Sequence, residues 1–273
     1  MLQGKKIGFI GSGAMAEALI GGIIKAGLIQ PNQMIVSDIS QNRLDYMQEK
    51  FQINTTLCIE EVVKEAQILF LTVKPQVIPA VLDAIAPIIS PTTLVVSIAA
   101  GITIHVLQNK MPHVPIIRVM PNTPVAVGEG MSVIALGKYA GEQNGEIVFT
   151  IFSSVGRAII MDESSMDAVT GLSGSGPGYA FLLIDALADA GVRVGLSRQN
   201  SLMMAAQTLL GAAKMVLETG EHPAKLRDMV TSPGGTTIAG IHVLEQQGVR
   251  AALIDAVLAA THRSQELGKK TYE

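Results

Sequence analysis

Ten residues near the amino end, Ile7-Gly8-Phe9-Ile10-Gly11-Ser12-Gly13-Ala14-Met15-Ala16, restrict this chain more than any other stretch. Four mostly apolar residues run straight into a glycine turn. The turn opens an apolar-periodic segment of Met15, Leu19, Ile20, Ile23 and Ile24. Strand, tight turn and helix follow from that pattern. Gly11 and Gly13 let the backbone turn sharply. The bare Cα of Gly13 lets a pyrophosphate approach the helix start, where free N–H groups point at the anion. Ala16, at the third position, permits close packing of helix on strand. The next strand-like run, Met34–Ser37, closes a βαβ unit of about 30 residues and is followed at once by Asp38. Gly8, Gly11, Ser12, Gly13, Ala14, Met15, Ser37 and Asp38 are therefore candidate dinucleotide residues. The plain alternative is a glycine-rich turn that holds nothing.

With 273 residues the chain can bury a substantial core, and two domains are expected. A net charge of −3 with only 20 Lys plus Arg gives no basic footprint, which argues against nucleic acid as a partner. Cys58 is the single cysteine and cannot form an intrachain disulfide, as expected of a reducing, cytoplasmic protein. The five scattered histidines make no metal-ligand spacing, so no metal is expected. Lys5-Lys6 followed by apolar residues and Ala14-Met15-Ala16 imitates a signal peptide, but the apolar part is too short and holds three glycines. Residues 84–105 lack any acidic residue, Lys or Arg and are long enough to span a bilayer. Pro87, Ser90-Pro91 and Gly101 cut them into a helix end, a turn and a strand, so no membrane segment is expected.

After Asp38, Ser40 can cap a helix that runs through Leu44 and Met47 to Phe51. A strand over residues 52–55 and a helix over 60–66 lead to Ile68-Leu69-Phe70-Leu71-Thr72-Val73, apolar on both faces like a central parallel strand. Helices over 77–88 and 103–110 alternate with strands over 93–97 and 115–120. The alternation predicts a doubly wound parallel sheet, in which ligands bind beyond the carboxyl ends of the strands. Three such ends share the crevice of the glycine turn: Val73-Lys74-Pro75, Ala99-Ala100-Gly101 and Met120-Pro121-Asn122. Singly they read as a solvated lysine, a packing spot and a turn. Together they offer a charge, small residues beneath a flat ring and a rigid polar loop, which suits a nicotinamide.

From about Met161 the strand signals stop and the chain reads as helical. Ser164-Ser165-Met166-Asp167 resembles a capping box. Residues 199–213 carry no charge and are apolar on nearly every face, with Leu202, Met203, Met204, Leu209 and Leu210 among them. Such a helix must be buried all round, and a helical segment of this size needs a second subunit to do it. Two hydroxyl- and glycine-rich turns punctuate this half. Gly171-Leu172-Ser173-Gly174-Ser175-Gly176-Pro177 leads into a helix with Pro177 in its first turn. Thr231-Ser232-Pro233-Gly234-Gly235-Thr236-Thr237 reads as a helix start with Ser232 as N-cap and Pro233 at the first position. Gly234 and Gly235 would weaken that first turn. Their use makes sense if exposed N–H groups must approach a ligand closely, a carboxylate above all.

These motifs together resemble those of the pyrroline-5-carboxylate reductases, which act at the last step of proline synthesis, and the resemblance runs essentially end to end. Its most specific parts are residues 10–16, Val73-Lys74-Pro75-Gln76, residues 167–177 and Ser232-Pro233-Gly234-Gly235-Thr236-Thr237. The resemblance implies an α/β fold: a Rossmann-type domain over residues 1–162, then an all-helical substrate-binding and dimerisation domain over 163–273 that interlocks with that of a second copy. It implies reduction of the cyclic imine 1-pyrroline-5-carboxylate to L-proline by hydride from NADPH or NADH. Cys58, Val73, Lys74, Pro75, Ala99 and Ala100 join the cofactor residues. Met120, Asn122, Ser173, Ser175, Ser232, Gly234, Gly235, Thr236 and Thr237 form the substrate set, with Thr237 and Lys74 as the catalytic candidates. A protonated cyclic imine is already a strong electrophile, so hydride transfer needs mainly alignment and electrostatics.

Three positions depart from the family pattern. Gly178 stands where Ala is usual, Cys58 where many members carry Asn near the adenine, and Ile39 where a basic residue often meets a 2′-phosphate. The last two leave the choice between NADH and NADPH open. Two other readings remain beside this one: another imine or 3-hydroxyacid dehydrogenase of the same plan, and a dinucleotide-sensing protein without turnover.

Overall fold

The computed structural model describes Leu2 and residues 4–270. The first βαβ unit is β1 (Ile7–Ile10), α1 (Ala14–Lys25) and β2 (Met34–Ser37). Next come α2 (Gln41–Phe51), β3 (Asn54–Thr56), α3 (Ile59–Glu65), β4 (Ile68–Leu71), α4 (Ile78–Ile85), β5 (Leu94–Ser97), α5 (Ile104–Lys110) and β6 (Ile116–Met120). The sheet is completed by β7 (Gly130–Leu136), α6 (Glu142–Ser153) and β8 (Gly156–Ile160). The remainder is helical: α7 (Met166–Val169), α8 (Gly176–Arg193), α9 (Arg198–Thr219), α10 (Pro223–Met229), α11 (Thr236–Gln246) and α12 (Val249–Lys270).

Among the described residues the strands form one sheet in the order β3-β2-β1-β4-β5-β6-β7-β8. β1 lies between β2 and β4, with Phe9 opposite Val36 and Phe70, and all three strands are buried on both faces. That is why these runs are continuously apolar rather than alternating. One face carries Phe9 and Phe70, their rings stacked at 4.8 Å, packed with Phe152 of α6 and with residues of α1 and α2. The opposite face packs Leu69, Leu71 and Val95 with α3, α4 and α5. Gly8 is needed here, because a Cβ would stand 2.6 Å from Val62 and 2.8 Å from Ala66 of the crossing helix.

The Rossmann-type sheet and the helical second half agree with expectation; the details differ in four places. The sheet is mixed, because β7 runs antiparallel to β6 while β8 runs parallel to β7. Only a short turn over 121–129 separates β6 from β7, and a parallel return would need a crossover of a dozen or more residues. β3 starts later than residue 52 because Gln52 adopts the left-handed conformation (φ 57°) that closes α2. Ser40 precedes α2 but its hydroxyl caps nothing; its N–H donates instead to Asp38 Oδ1 at 3.1 Å. The capping box at 164–167 does not form: a single 3₁₀ turn occupies 163–165, and Asp167 accepts from Ser264 Oγ at 2.6 Å.

Where β7 meets β8, Gly156 sits at φ +147° opposite Gly130, and a Cβ would lie 2.0 Å from the Gly130 carbonyl oxygen. Backbone cannot yield as a side chain does. Gly156→Ala is expected to cost about 2–4 kcal/mol in chemical denaturation.

Contacts divide the chain into two compact units: residues 1–175 with 259–273, and residues 176–258. In the second, α8 and α9 form the main pair, with Gly191 admitting the buried Ser201 at a distance no Cβ would allow. The uncharged 199–213 segment lies within α9. Met203 and Leu210 remain 65% and 55% exposed in the single chain. Among the described residues no helix is long and apolar enough to cross a membrane, and no cluster of His, Cys, Asp and Glu could hold a metal.

Candidate active site

The glycine turn is fixed from three sides. Gly11 takes φ +97° and donates its N–H to Ser37 O at 2.8 Å, while Thr72 Oγ1 donates to Gly11 O at 2.7 Å. A Cβ on Gly11 would come within 2.9 Å of Val73 Cγ1. Gly13 is the opposite case: it is the N-cap of α1, and a Cβ there would meet nothing within 4 Å. The protein therefore leaves the space over Gly13 open, at the end of α1 whose first N–H groups lack intrahelical partners. An anionic pyrophosphate fits that cradle. Ser12 itself is fully buried, and its N–H and hydroxyl both donate to Asp38 Oδ2, at 2.8 and 2.7 Å.

Asp38 thus anchors the turn from the end of β2. Burial pushes its carboxyl up, but the Ser12 N–H and hydroxyl and the Ser40 and Ile39 N–H groups outweigh this and hold it below the usual range. It remains ionised. Beside it Arg43 Nε donates to Ser12 O at 2.6 Å and its Nη2 pairs with Glu17. Glu17 also accepts from Tyr46 Oη and Lys50 Nζ, both at 2.7 Å. Burial raises the Glu17 carboxyl, yet the Lys50, Arg43 and Tyr46 hydrogen bonds bring it down from 4.5 to about 2. A depressed carboxyl stabilises the fold fully above its unfolded pKa and loses that contribution as pH falls through its folded one. The stability gap between the parent and Glu17→Gln is therefore expected to be complete at neutral pH and to close as pH falls from 4.5 to about 2. Denaturant midpoints across that range measure it.

A cleft of about 350 Å³ lies beyond these strand ends, lined by Gly11, Gly13, Ser37, Asp38, Val73 and Lys74 from the expected set. It also takes Ile39, noted above only as a departure from the family pattern, and Leu57, Ile59, Thr72 and Val77, which the sequence reading did not assign. Ile39, two residues past β2, and Leu57, directly after β3, are exposed apolar residues, and that placement was the available signal. Cys58 sits between two lining residues with its Sγ donating to Glu60 at 3.0 Å. Lys74 is exposed and forms no ion pair among the described residues.

A second cavity, about 460 Å³, brings together Pro75, Ala100 and Ser175 with Gly101 and Thr170. Ala99 is buried beside the exposed Ala100. The 170–175 segment winds as one π-helical turn, with Ser175 N–H reaching Thr170 O at 2.8 Å. Ser173 Oγ donates to Val169 O at 3.1 Å. Asn122 braces the turn by donating to Ser173 O at 3.0 Å and accepting from Met131 N–H at 2.8 Å. Met120 packs on Gly174, where a Cβ would stand 2.7 Å from its Cε. The far wall is Ala260, Arg263, Ser264 and Leu267 of α12, residues the sequence reading missed. It also missed the brace at Glu163 Oε1, which accepts from Ile104 N–H at 2.6 Å and from the buried Arg118 at 3.1 Å. A lone arginine inside the apolar strand Ile116-Ile117-Arg118-Val119 was the signal, since a buried charge requires a partner.

The 232–237 segment belongs to the second unit. Ser232 is not an N-cap: α11 begins at Thr236 with Gly235 before it. Residues 232–235 form a turn closed by Gly235 N–H to Ser232 O at 3.0 Å, with Gly234 at φ +68°. A Cβ on Gly235 would lie 2.3 Å from Ser232 Oγ. The two glycines therefore serve the turn and lie outside the helix, and the start of α11 stays exposed with Thr237 half-buried.

Known proteins share this plan. The family described as pyrroline-5-carboxylate reductase dimerisation matches residues 163–267, and that described as NADP oxidoreductase, coenzyme F420-dependent, matches 6–101. The chain is 49% identical to a pyrroline-5-carboxylate reductase of Arabidopsis thaliana, over 97% of this chain and 96% of that one. It is 48% identical to that of Methanosarcina acetivorans, over 98% and 100%. A solved pyrroline-5-carboxylate reductase of Coxiella burnetii superposes with a TM-score of 0.91 at 36% identity, covering 96% and 98%. The Plasmodium falciparum enzyme, solved with NADP bound, gives 0.88 at 33%, covering 98% and 100%. A prephenate dehydrogenase of Aquifex aeolicus, 14% identical with a TM-score of 0.54 over 95% and 99%, shares the fold alone. With its glycine turn, its π-turned 170–175 segment and its 232–237 turn in one chain of matching length, this protein belongs to the pyrroline-5-carboxylate reductase family.

Proposed function

We infer that this chain is an oxidoreductase that reduces 1-pyrroline-5-carboxylate to L-proline with NADPH or NADH, the last step of proline biosynthesis. Family membership over 97% of the chain carries the reading. The open space over Gly13 at the start of α1 and the start of α11, which no side chain caps, give it a physical basis, each a set of N–H donors suited to an anion. The first suits a pyrophosphate and the second the substrate carboxylate.

The cofactor supplies the hydride when bound. Gly11, Gly13, Ala14 and Met15 would hold its pyrophosphate. Ser37 and Asp38 would lie at the ribose end, with Ser12 tying Asp38 in place and Gly8 keeping α3 close. Cys58 would border the adenine. Val73, Lys74, Pro75, Ala99 and Ala100 would line the nicotinamide end, with Lys74 as the nearby positive charge. Ser232, Gly234, Gly235 and Thr236 would bind the carboxylate and Thr237 the ring nitrogen. Met120, Asn122, Ser173 and Ser175 would shape the substrate pocket, Asn122 by fixing the Ser173 carbonyl. Once the imine is protonated, the residues need to orient it and exclude water.

The functional division falls at 162/163, with cofactor residues before it and the substrate-binding and dimerisation domain after it. The exposed apolar face of α9 supports a homodimer, and pairs of dimers could assemble further. A free thiol at Cys58 fits the cytoplasm.

The test is oxidation of NADH and of NADPH with 1-pyrroline-5-carboxylate, run beside 3-hydroxyacids and beside cofactor binding alone. Turnover with the cyclic imine is expected. Turnover only with a hydroxyacid, or binding with no turnover, would replace this reading by one of its two rivals.

A further inference from the structure

We propose that Glu17 sets the cofactor choice toward NADH by holding Arg43 away from the ribose end of the dinucleotide cleft, a step that rests on reading that cleft as the cofactor site. Asp38 lines the cleft as an ionised carboxylate. A 2′-phosphate at pH 7 carries about −1.5 to −2 charges, so beside Asp38 it needs a cation to offset the repulsion. The residue after Asp38 offers none: it is Ile39, fully exposed at the cleft wall. Lys74 lines the same cleft but stands after β4, with β1 between it and β2.

Arg43 is the cation nearest in sequence, in the first turn of α2, yet it does not line the cleft. Its Nη2 is paired with Glu17, its Nε with Ser12 O, and its guanidinium lies 4.8 Å from the Tyr46 ring centroid. Glu17 gathers Lys50 as well, at 2.7 Å. Two carboxylates and two cations therefore cancel in the Glu17, Asp38, Arg43 and Lys50 group. Removing the Glu17 charge leaves the group net positive and frees one edge of the Arg43 fork. Arginine is the side chain suited to grip a phosphate at two points.

The experiment is a fluorescence titration of NADH and NADPH on the intact protein and on Glu17→Ala, Glu17→Gln and the double variant Glu17→Ala/Arg43→Ala. Melting curves run alongside. The parent should bind NADH more tightly. Glu17→Ala should move the NADPH-to-NADH affinity ratio toward NADPH by about two- to fivefold, the range of a partly exposed charge pair. Glu17→Gln keeps the shape and covers the case in which the alanine variant fails to fold; it should move the ratio the same way by less. The double variant should return the ratio to that of the parent. The ratio is the diagnostic quantity, because damage to the glycine turn weakens both dinucleotides alike. A parent that prefers NADPH, a ratio unmoved in the Glu17 variants, or a shift that survives loss of Arg43 would each overturn the proposal. A parent that binds neither dinucleotide would overturn the cofactor reading itself.

Discussion

Thr237→Val is expected to lower kcat/KM about ten- to a hundredfold while leaving cofactor affinity and melting temperature near those of the parent. The valine keeps the branched shape and deletes one hydroxyl. If that hydroxyl meets a cationic or developing amine nitrogen, the lost interaction is worth roughly 1.5–3 kcal/mol. A purely local role predicts otherwise, because α11 starts at Thr236 on the Gly235 cap and needs nothing from the Thr237 side chain. Cofactor affinity serves as the control, since the glycine turn lies in the other compact unit. Steady-state kinetics with a parallel cofactor titration measure the effect. A near-normal kcat/KM would remove Thr237 from the site.

Met204→Glu is the second large effect expected. Met204 is 43% exposed in the single chain, on a helix that also exposes Leu202, Met203 and Leu210. An apolar face of this kind is covered by a partner in a dimerisation domain, and a carboxylate buried there without a partner costs about 3–5 kcal/mol. Sedimentation should show the dimer weakened or lost, and the protein should unfold at lower denaturant. A Leu209→Glu variant should behave alike. A dimer of unchanged strength in both would place the subunit interface elsewhere.

The contrast between these two sites shows what could be read beforehand. The helical state of residues 199–213 was legible because fifteen residues without a charge, with glycine at one position only and no proline, read as one continuous helix, and they lie within α9. The shape of the 232–237 turn was not legible. Ser-Pro followed by two glycines fits both a capped helix start and a closed turn, and only the Ser232 Oγ position against Gly235 separates them. The sheet followed the same rule. Strands buried on both faces announce themselves as apolar runs, so β1, β2, β4 and β5 appeared near their observed limits. The run from β7 to β8 carries glycines at the pairing Gly130 and Gly156 and a half-exposed last strand, so its pattern was weak.

The sequence alone determined the α/β order, the glycine turn, the acidic end of β2 and the uncharged helix, because each depends on spacing between near neighbours. Tertiary structure decided what distant residues do to one another. It turned Asp38 toward Ser12, bound Arg43 to Glu17 across 26 positions, set Arg118 on Glu163 and brought the end of α12 to the second cavity. Side-chain hydrogen bonds and ion pairs act over a few ångströms. Their partners are therefore chosen by how helices pack on the sheet, and no local periodicity records that choice.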